Sequence, residues 1–471
     1  GSRNAMNFVC PFPTRARPSP AAAGAETSMR DSEDGEGTVA SGGDDGIAAT
    51  ARAILTGLDL ELDQRIVRIG TGRVQDDLNQ YAILHQVKVE QKRQLVEAAA
   101  SKNVLNRVMG SICGMAIGDA IGHPFEFQPV QDRPGSAFFD LGTFTFHDES
   151  NAFRLKRGQW TDDAAMGACM ADSLILRRGF DGSDMRVRFW CWWNRGYNNA
   201  FRKDPQRSSS VGLGGNIAKS LYAINSLRGE EVPPTYDAAT EDAGNGSLMR
   251  FAPVALFLHA SNPEDVLHFA RLSSYTTHPG IIAAEACSLL GYLIVCALRL
   301  PAGEAPDPRS FLEKATADYL KVSGLSGKSG WGYDQMKWLV TASPVHDTER
   351  CWSWKRDNLD IEGTLRARGR RYNGYPVSAG YFGSYSLDGL AMALWSVYHT
   401  TSFDEAVTRS VNLLGDADSH GSITGQLAGA LYGYKAINPR FLEWLNTWDD
   451  HDFAVRGVLL HHLGAMRASG I

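Results

Sequence analysis

The chain has 471 residues, of which 43% are hydrophobic and 21% charged, with a formal net charge of −6. This composition is typical of a globular protein, and its acidic balance gives no electrostatic reason to expect a nucleic acid or a membrane surface as a partner. The seven cysteines are scattered and form no C-x-x-C pair. They predict a reducing compartment, and we expect a cytoplasmic location.

Residues 1–46 are predicted to be a cloning remnant followed by a disordered tail, because Pro, Ala, Gly, Ser and Asp dominate there and large apolar residues are few. Arg15 and Arg17 precede the first acidic residue, Glu26, so an organellar leader is the alternative to a cytoplasmic location. Residues 47–103 are helical in composition. They predict an N-terminal helical extension that packs on the main domain or contacts a partner or a second copy.

The main domain is predicted over residues 104–471, where apolar side chains recur at helical spacing. The predicted helices are 104–116, 161–173, 264–272, 280–298, 386–399, 404–413 and 423–434. The pattern predicts an all-α fold, because alternating polar and apolar residues are scarce. The apolar run 281–300 contains Glu285 and Arg299, so we expect a buried core helix there and no membrane span. Residues 323–376 are predicted to form a long irregular insertion.

Two acidic junctions precede predicted helices, at Gly158–Asp163 and Gly415–Gly421. Alone, the first is typical of a helix N-terminus that Thr161 caps, with two acids beside the positive end of the helix dipole. Together the junctions offer four carboxylates: Asp162, Asp163, Asp416 and Asp418. Packed together without a cation they would repel one another, and oxygen donors without cysteine favour Mg²⁺, Mn²⁺ or Ca²⁺.

A third acidic segment, Gly118–Glu126, contains Asp119 and Glu126. Asp119 follows a predicted amphipathic helix, and Glu126 lies in the loop after Pro124. In isolation either residue is typical of a surface acid. The spacing along the chain does not establish that the three acidic segments meet.

These motifs, taken in order, resemble the ADP-ribosylglycohydrolase family. The segments that carry the resemblance are Gly118–Glu126, Trp160–Asp163, Gly244–Arg250, Thr277–His278 and Gly415–Gly433. The similarity spans about residues 104–436. It implies a compact orthogonal bundle of helices around a central dinuclear metal site.

The resemblance also implies two Mg²⁺ or Mn²⁺ ions as cofactors. Their ligands would be Thr161, Asp162, Asp163, Asp416, Asp418 and Ser419. Asp418 would bridge the two ions, and Glu126 would reach the second ion or the attacking water. Asp119 would support the fold behind the ligands. Glu126, Asp162 and Asp163 are the candidates for the general base.

Four segments are expected to bind ADP-ribose. Gly244, Asn245, Gly246 and Ser247 would approach the ligand through their backbone, although such a sequence in isolation is typical of a turn. The stretch 210–215 occupies the place of the family's diphosphate loop but lacks its Asp and Thr residues, so Gly214 and Gly215 would offer backbone amides. His278 would lie near the ribose or serve the fold. Tyr381 would stack on adenine, with Phe382 and Tyr385 as alternatives.

The expected activity is hydrolysis of the bond at C1 of the distal ribose of an ADP-ribose-modified protein or small molecule. Ser419 ends the second metal motif as in the arginine-specific vertebrate member, which favours arginine as the modified residue. Three other substrates stay open: serine-linked ADP-ribose, poly-ADP-ribose and O-acetyl-ADP-ribose. A non-catalytic ADP-ribose-binding or crystallin-like relative is the alternative of a different class.

Overall fold

Helices account for nearly all regular structure in the computed structural model, which confirms the predicted all-α class. The structure describes residues 42–470 except 70–77, 133–137, 148–151, 228–230, 242, 304–306 and 373–374. The predictions for residues 1–41 lie outside the described residues. The first helix begins at Gly42, within the range predicted as a tail.

The helices and strands follow in chain order. The helices are α1 Gly42–Thr56, α2 Leu60–Ile66, α3 Val89–Ala100, α4 Asn103–Gly122, α5 Asp162–Arg177, α6 Gly182–Arg195, α7 Gly215–Asn225, α8 Ala252–Phe257, α9 Pro263–Tyr275, α10 Ile281–Leu298, α11 Pro308–Val322, α12 Trp331–Thr341, α13 Ile361–Arg368, α14 Ser386–Tyr398, α15 Phe403–Val411, α16 Ala417–Tyr432, α17 Pro439–Asp449 and α18 Asp452–Ala468. Two short antiparallel hairpins pair β1 Phe139–Asp140 with β2 Thr145–Phe146 and β3 Arg371–Tyr372 with β4 Tyr375–Pro376.

Helices α4 and α16 pack backbone against backbone along a stripe of glycines. The glycines are Gly110, Gly114, Gly118 and Gly122 on α4 and Gly421, Gly425 and Gly429 on α16. A Cβ added at Gly118 would overlap the carbonyl oxygen of Gly421, and one at Gly425 would overlap that of Gly114. Only hydrogen side chains allow this approach, which brings Asp119 on α4 close to the start of α16.

The N-terminal helices are joined to the rest of the described chain by buried ion pairs. Arg188 Nη2 lies 2.6 Å from Asp63 Oδ2, and both side chains are almost fully buried. Lys92 Nζ lies 2.6 Å from Asp452 Oδ1 in a second buried pair. Charges from α2 and α3 therefore neutralise charges on α6 and α18.

The long apolar helix α10 is a core helix, as predicted. It and Asn103–Phe125 are long and apolar enough to cross a membrane, but 83% and 89% of their apolar windows are buried inside the protein.

The prediction that 323–376 is irregular is wrong, because this segment contains α12, α13 and a hairpin. Trp352 and Trp354 are buried and anchor it to the core. The sequence pattern misled because its helices are short and rich in Gly and charge.

Candidate active site

The N-terminal ends of α5 and α16 bring acidic side chains from three segments into one largely buried cluster, which we call the carboxylate cluster. Its members are Asp119, Glu126, Asp162, Asp163, Asp416 and Asp418. Carboxylate oxygens of Asp119, Asp163 and Asp418 lie within 4.8 Å of one another, and so do those of Glu126, Asp416 and Asp418. Asp418 is therefore shared by both groups. The three acidic segments of the sequence do meet in space.

Helix α5 is capped by an acid from α4. The carboxylate oxygens of Asp119 accept hydrogen bonds from the backbone N–H groups of Thr161, at 2.9 and 3.0 Å, and of Ala164, at 3.0 Å. The Thr161 hydroxyl lies 2.9 Å from Asp119 Oδ1 and 3.3 Å from Asp163 Oδ2. A capping role for the Thr161 side chain is therefore wrong, since Asp119 takes the unpaired N–H groups. Asp119 also lies within α4, not after it.

Helix α16 begins at Ala417, six residues before the start of its predicted range, so that Asp418 and Ser419 lie in its first turn. Asp416, at the N-cap position, accepts a hydrogen bond from Asn245 Nδ2 at 2.7 Å and one from the Tyr381 hydroxyl. Asp418 Oδ1 accepts from the backbone N–H of Ser419 at 2.9 Å. These bonds fix the two carboxylates while leaving other lone pairs open to a ligand.

Burial raises the pKa values of the six carboxylates of the cluster, and neighbouring acids raise them further for every member except Asp119. Burial raises the pKa of Asp119 to about 6, although hydrogen bonds oppose it. Burial and then the charge of Asp418 raise the pKa of Asp416 to about 7, and burial and Asp119 raise that of Asp418 to about 7. Burial and neighbouring acids also raise the pKa values of the remaining three well above their usual range: Glu126, Asp162 and Asp163. Full ionisation of the cluster therefore requires a compensating positive charge.

Two buried carboxylate oxygens, Asp163 Oδ1 and Glu126 Oε2, have no hydrogen-bond partner among the described residues. Buried acceptors in folded proteins nearly always have a partner, so these two oxygens are available to bind a ligand. Every donor in the cluster is an oxygen, which is the preference of hard divalent cations. The carboxylate cluster therefore fits a metal of this kind.

The loop before α7 lies directly against the cluster. Gly212 has a φ of +91°, and a Cβ there would overlap Asp162 Oδ1. Gly214 is the N-cap residue of α7 and Gly215 its first residue, and both are exposed. The loop that leads into α7 therefore passes beside Asp162, and the first N–H groups of α7 have no acceptor within the helix.

His278 lies against two of the predicted substrate-binding glycines. A Cβ added at Gly246 would be 3.0 Å from His278 Cε1, and one at Gly244 would be 3.4 Å from its Nε2. The Thr277 hydroxyl lies 2.8 Å from His278 Nδ1. Burial lowers the pKa of His278 to about 3, so the imidazole is neutral at physiological pH. A Cβ at Gly246 would therefore press on the ring, whereas one at Gly244 would meet Asn216 Nδ2 first, at 3.0 Å.

Asn245 links the glycine segment to the cluster, whereas Ser247 belongs to the core. The backbone N–H of Asn245 donates to the Ser384 carbonyl at 2.9 Å, and its side chain donates to Asp416. Ser247 is 1% exposed and its hydroxyl accepts a hydrogen bond from Ser274 at 2.9 Å. The substrate contact expected from the Ser247 hydroxyl therefore has no support in this geometry.

Tyr381 lies beside the cluster, with its ring largely covered. The side chain is 8% exposed and its hydroxyl bonds Asp416. Its ring stacks on that of Phe127 with centroids 5.5 Å apart, and the Tyr375 ring lies 4.4 Å away. Such a ring offers little free face to adenine, so the stacking predicted for Tyr381 does not fit this structure.

The resemblance found in the sequence is confirmed by a direct comparison. The sequence model described as ADP-ribosylglycohydrolase matches residues 100–466. The chain belongs to the ADP-ribosylglycohydrolase family. Members of this family are glycosidic-bond hydrolases, and the protein is therefore a hydrolase of this class.

Several relatives of this ADP-ribosylglycohydrolase have names that state hydrolysis of ADP-ribose linkages. It is 28% identical to ADP-ribosylarginine hydrolase Tri1 of Pseudomonas putida over 74% of this chain and 76% of that protein. It is 23% identical to ADP-ribosylhydrolase ARH3 of Gallus gallus over 71% of this chain and 87% of that protein. A solved structure described as an ADP-ribosylglycohydrolase-related protein complex aligns with a TM-score of 0.51 and 27% identity, covering 77% of this chain and 99% of that chain.

The sequence analysis missed the side chains that support the 383–385 loop of this ADP-ribosylglycohydrolase. The Tyr372 hydroxyl accepts hydrogen bonds from the backbone N–H groups of Gly383, at 3.3 Å, and Tyr385, at 3.0 Å. It donates to Asp388 Oδ2 at 2.8 Å, and Arg368 pairs with the same carboxylate. The one available signal was Asp388 itself, an acid in an otherwise apolar helix.

Proposed function

We propose that this chain removes ADP-ribose from modified arginine side chains by hydrolysis at C1 of the distal ribose. The observation that carries the proposal is the shared position of Asp418 between two groups of carboxylates, which supports a site for two cations. The similarity to ADP-ribosylarginine hydrolase Tri1 over 74% of the chain supports arginine as the modified residue. Ser419 at the end of the second metal motif supports the same choice.

Two Mg²⁺ or Mn²⁺ ions are the cofactors in this proposal. The residues that would hold them are Thr161, Asp162, Asp163, Asp416, Asp418 and Ser419. When bound, such ions orient ribose hydroxyls and make a water molecule more acidic. The unpartnered Oδ1 of Asp163 supports this assignment.

Glu126 is our choice for the residue that accepts a proton from the attacking water. Its Oε2 atom is buried and unpartnered, while its side chain also bonds Asp418. A general base must have a free lone pair within hydrogen-bond reach of the water, and Oε2 offers one. Asp162 and Asp163 are the alternatives, but the proposal already uses both as ligands.

The rest of ADP-ribose would be held by backbone groups and neutral side chains. The N–H groups at Gly214 and Gly215 begin α7, and a helix N-terminus favours a diphosphate. The His278 ring lies in the space that Gly244 and Gly246 leave without a Cβ, and this neutral imidazole would lie beside the ribose together with Asn245. Orientation by such contacts places C1 next to the cluster.

The test is release of ADP-ribose from arginine-linked, serine-linked, acetyl-linked and polymeric substrates with Mg²⁺ or Mn²⁺. We expect the arginine-linked substrate to be cleaved fastest, and EDTA to abolish cleavage. Asp162→Ala and Asp418→Ala should lower kcat/KM by roughly 100-fold or more, since ligand support alone changes activity by 10- to 100-fold. Asp334→Ala, which removes a surface acid paired with Lys337, is the matched control and should leave the rate unchanged.

Each of two results would overturn a different part of the proposal. Faster cleavage of a serine-linked, acetyl-linked or polymeric substrate would reject arginine as the modified residue. Wild-type activity in Asp418→Ala would reject the two-cation site.

A further inference from the structure

Phe127 holds an aromatic ring out into solvent directly after Glu126. Its φ is +69°, a conformation that is unfavourable for a bulky residue, and its side chain is 41% exposed. Two backbone hydrogen bonds hold this turn: Phe127 N–H donates to the Gly415 carbonyl at 2.9 Å, and Gly415 N–H donates to the Gln128 carbonyl at 3.0 Å. The main chain is thus fixed in a strained form that exposes the ring next to the carboxylate cluster.

Three further rings join Phe127 in a group that we call the aromatic mouth, made of Phe127, Phe153, Tyr375 and Tyr381. The centroids of Phe153 and Tyr375 each lie 6.5 Å from that of Phe127. Tyr375 is 40% exposed, so two neighbouring aromatic residues present uncovered surface at one place. Adjacent exposed aromatic rings are typical of a binding surface.

The electrostatic surroundings of the aromatic mouth favour a cation. Burial, and then the charges of Glu126 and Asp416, raise the pKa of Tyr375, which shows that its hydroxyl lies within electrostatic reach of the cluster. Of the Lys and Arg side chains that the structure describes, none lies over any of these four rings. By contrast, Arg368 covers Tyr372, Phe382 and Tyr385. The two exposed rings of the aromatic mouth, Phe127 and Tyr375, are therefore open to a cation from outside.

We propose that the aromatic mouth is the subsite for the guanidinium group of the modified arginine, with Phe127 and Tyr375 as its stacking faces. This inference rests on the proposed function, because arginine is the cation attached to the ribose there. A guanidinium is planar and weakly hydrated, so it stacks on aromatic faces better than an ammonium does. A serine or acetyl group has no charge and gains nothing from these rings. Phe127 and Tyr375 are thus specificity-determining residues.

The first test measures binding without cleavage. Arginine methyl ester is titrated into the protein with ADP-ribose and Mg²⁺ and followed by NMR, with citrulline methyl ester as its neutral analogue. We expect the arginine ester to bind more tightly than the citrulline ester. Phe127→Leu and Tyr375→Leu should weaken the arginine ester by roughly 3- to 30-fold, the range for an aromatic–cation contact, and leave ADP-ribose affinity unchanged. Phe127→Tyr keeps an aromatic face and should bind as the wild type does.

The second test compares kcat/KM for arginine-linked and acetyl-linked ADP-ribose in the same variants. Phe127→Leu and Tyr375→Leu should lower the value for the arginine-linked substrate and leave the acetyl-linked value unchanged. Equal losses on both substrates, or an arginine ester that binds the variants as tightly as the wild type, would overturn the subsite.

The two tests separate this inference from the proposed function. If the wild type cleaves another linkage fastest yet binds arginine ester through Phe127, the proposed function fails and the subsite stands. If arginine-linked cleavage is fastest and both leucine variants retain it fully, the subsite fails and the proposed function stands.

Discussion

The carboxylate of Asp119 and the backbone N–H of Thr161 lie 2.9 Å apart, which makes an acid of α4 the cap of α5. The same carboxylate belongs to a group with Asp163 and Asp418. One side chain therefore caps the N-terminal end of α5 and also forms part of the carboxylate cluster. Stability and chemistry are linked at this residue.

Asp119→Ala should destabilise the protein. Removing the cap and leaving two buried N–H groups unpaired should lower the free energy of unfolding by about 2–4 kcal/mol. Urea unfolding of the metal-free protein measures this change. Asp119→Asn keeps an acceptor for these N–H groups, so its free energy of unfolding should fall by less. An equal fall in both variants would contradict capping as the cause.

Gly212→Ala should lower activity while the protein remains folded. The added methyl group would overlap Asp162 Oδ1, and a φ of +91° is unfavourable for alanine. We therefore expect Asp162 to move and Mg²⁺ to bind more weakly, by roughly 10-fold or more as for other disturbed ligands. Calorimetric titration with Mg²⁺ measures the affinity. Gly327→Ala is the control, since no atom lies within 4 Å of its added Cβ, and unchanged Mg²⁺ affinity in Gly212→Ala would reject the prediction.

Asp63→Ala should be strongly destabilising, because it leaves Arg188 charged and buried without its partner on α2. Breaking a buried pair on one side costs about 3–5 kcal/mol, and the second partner of Arg188, Asp184, should keep the loss at the lower end of this range. Glu97→Ala removes an exposed partner of Arg93 and should change the free energy of unfolding by about 0–1 kcal/mol. Chemical unfolding of both variants tests the contrast. Equal effects would show that the buried pair does not hold the N-terminal helices in place.

His461→Phe should make the protein less sensitive to acid. Burial, and then the nearby His259 and His462, lower the pKa of His461 to about 3, from 6.5 in an unfolded chain. Between pH 6.5 and pH 3, His461 binds a proton in the unfolded chain but stays neutral in the folded protein. The free energy of unfolding of the wild type is therefore fully retained above pH 6.5 and falls as the pH drops towards 3. Relative to the wild type, the variant should gain about 1.4 kcal/mol between pH 7.5 and pH 5.5. Phenylalanine retains a ring beside His259. If the difference in the free energy of unfolding between variant and wild type stays constant with pH, the low pKa assigned to His461 is contradicted.

The helical class and the main helices were predictable because apolar residues in α4, α5, α10 and α14 recur at helical spacing over many turns. The acids of the site were also visible in sequence, since Asp162, Asp163, Asp416 and Asp418 lie at helix starts, and Asp119 and Glu126 lie at or after the Gly-rich end of α4. What spacing does not determine is which helices touch. The capping of α5 by Asp119 depends on contact between Asp119 and Thr161, which are 42 residues apart in the chain.

The segments that sequence analysis misjudged share a physical cause. Residues 331–368 form short helices that bury Trp352 and Trp354, and tertiary packing outweighs their weak periodicity. Tyr381 looked available for stacking because sequence does not show that Phe127 and Tyr375 cover it. Long-range partners decide both outcomes.

The glycine stripe between α4 and α16 fixes the distance between the two halves of the carboxylate cluster. Because main chain touches main chain at Gly118 and Gly421, no side chain acts as a spacer that could repack and change the distance between Asp119 and Asp418. Substitutions elsewhere in the core can alter the stability of the protein while the separation of its acids stays constant. Even one methyl group on the stripe would instead act as a wedge, parting the two helices and with them the two halves of the site.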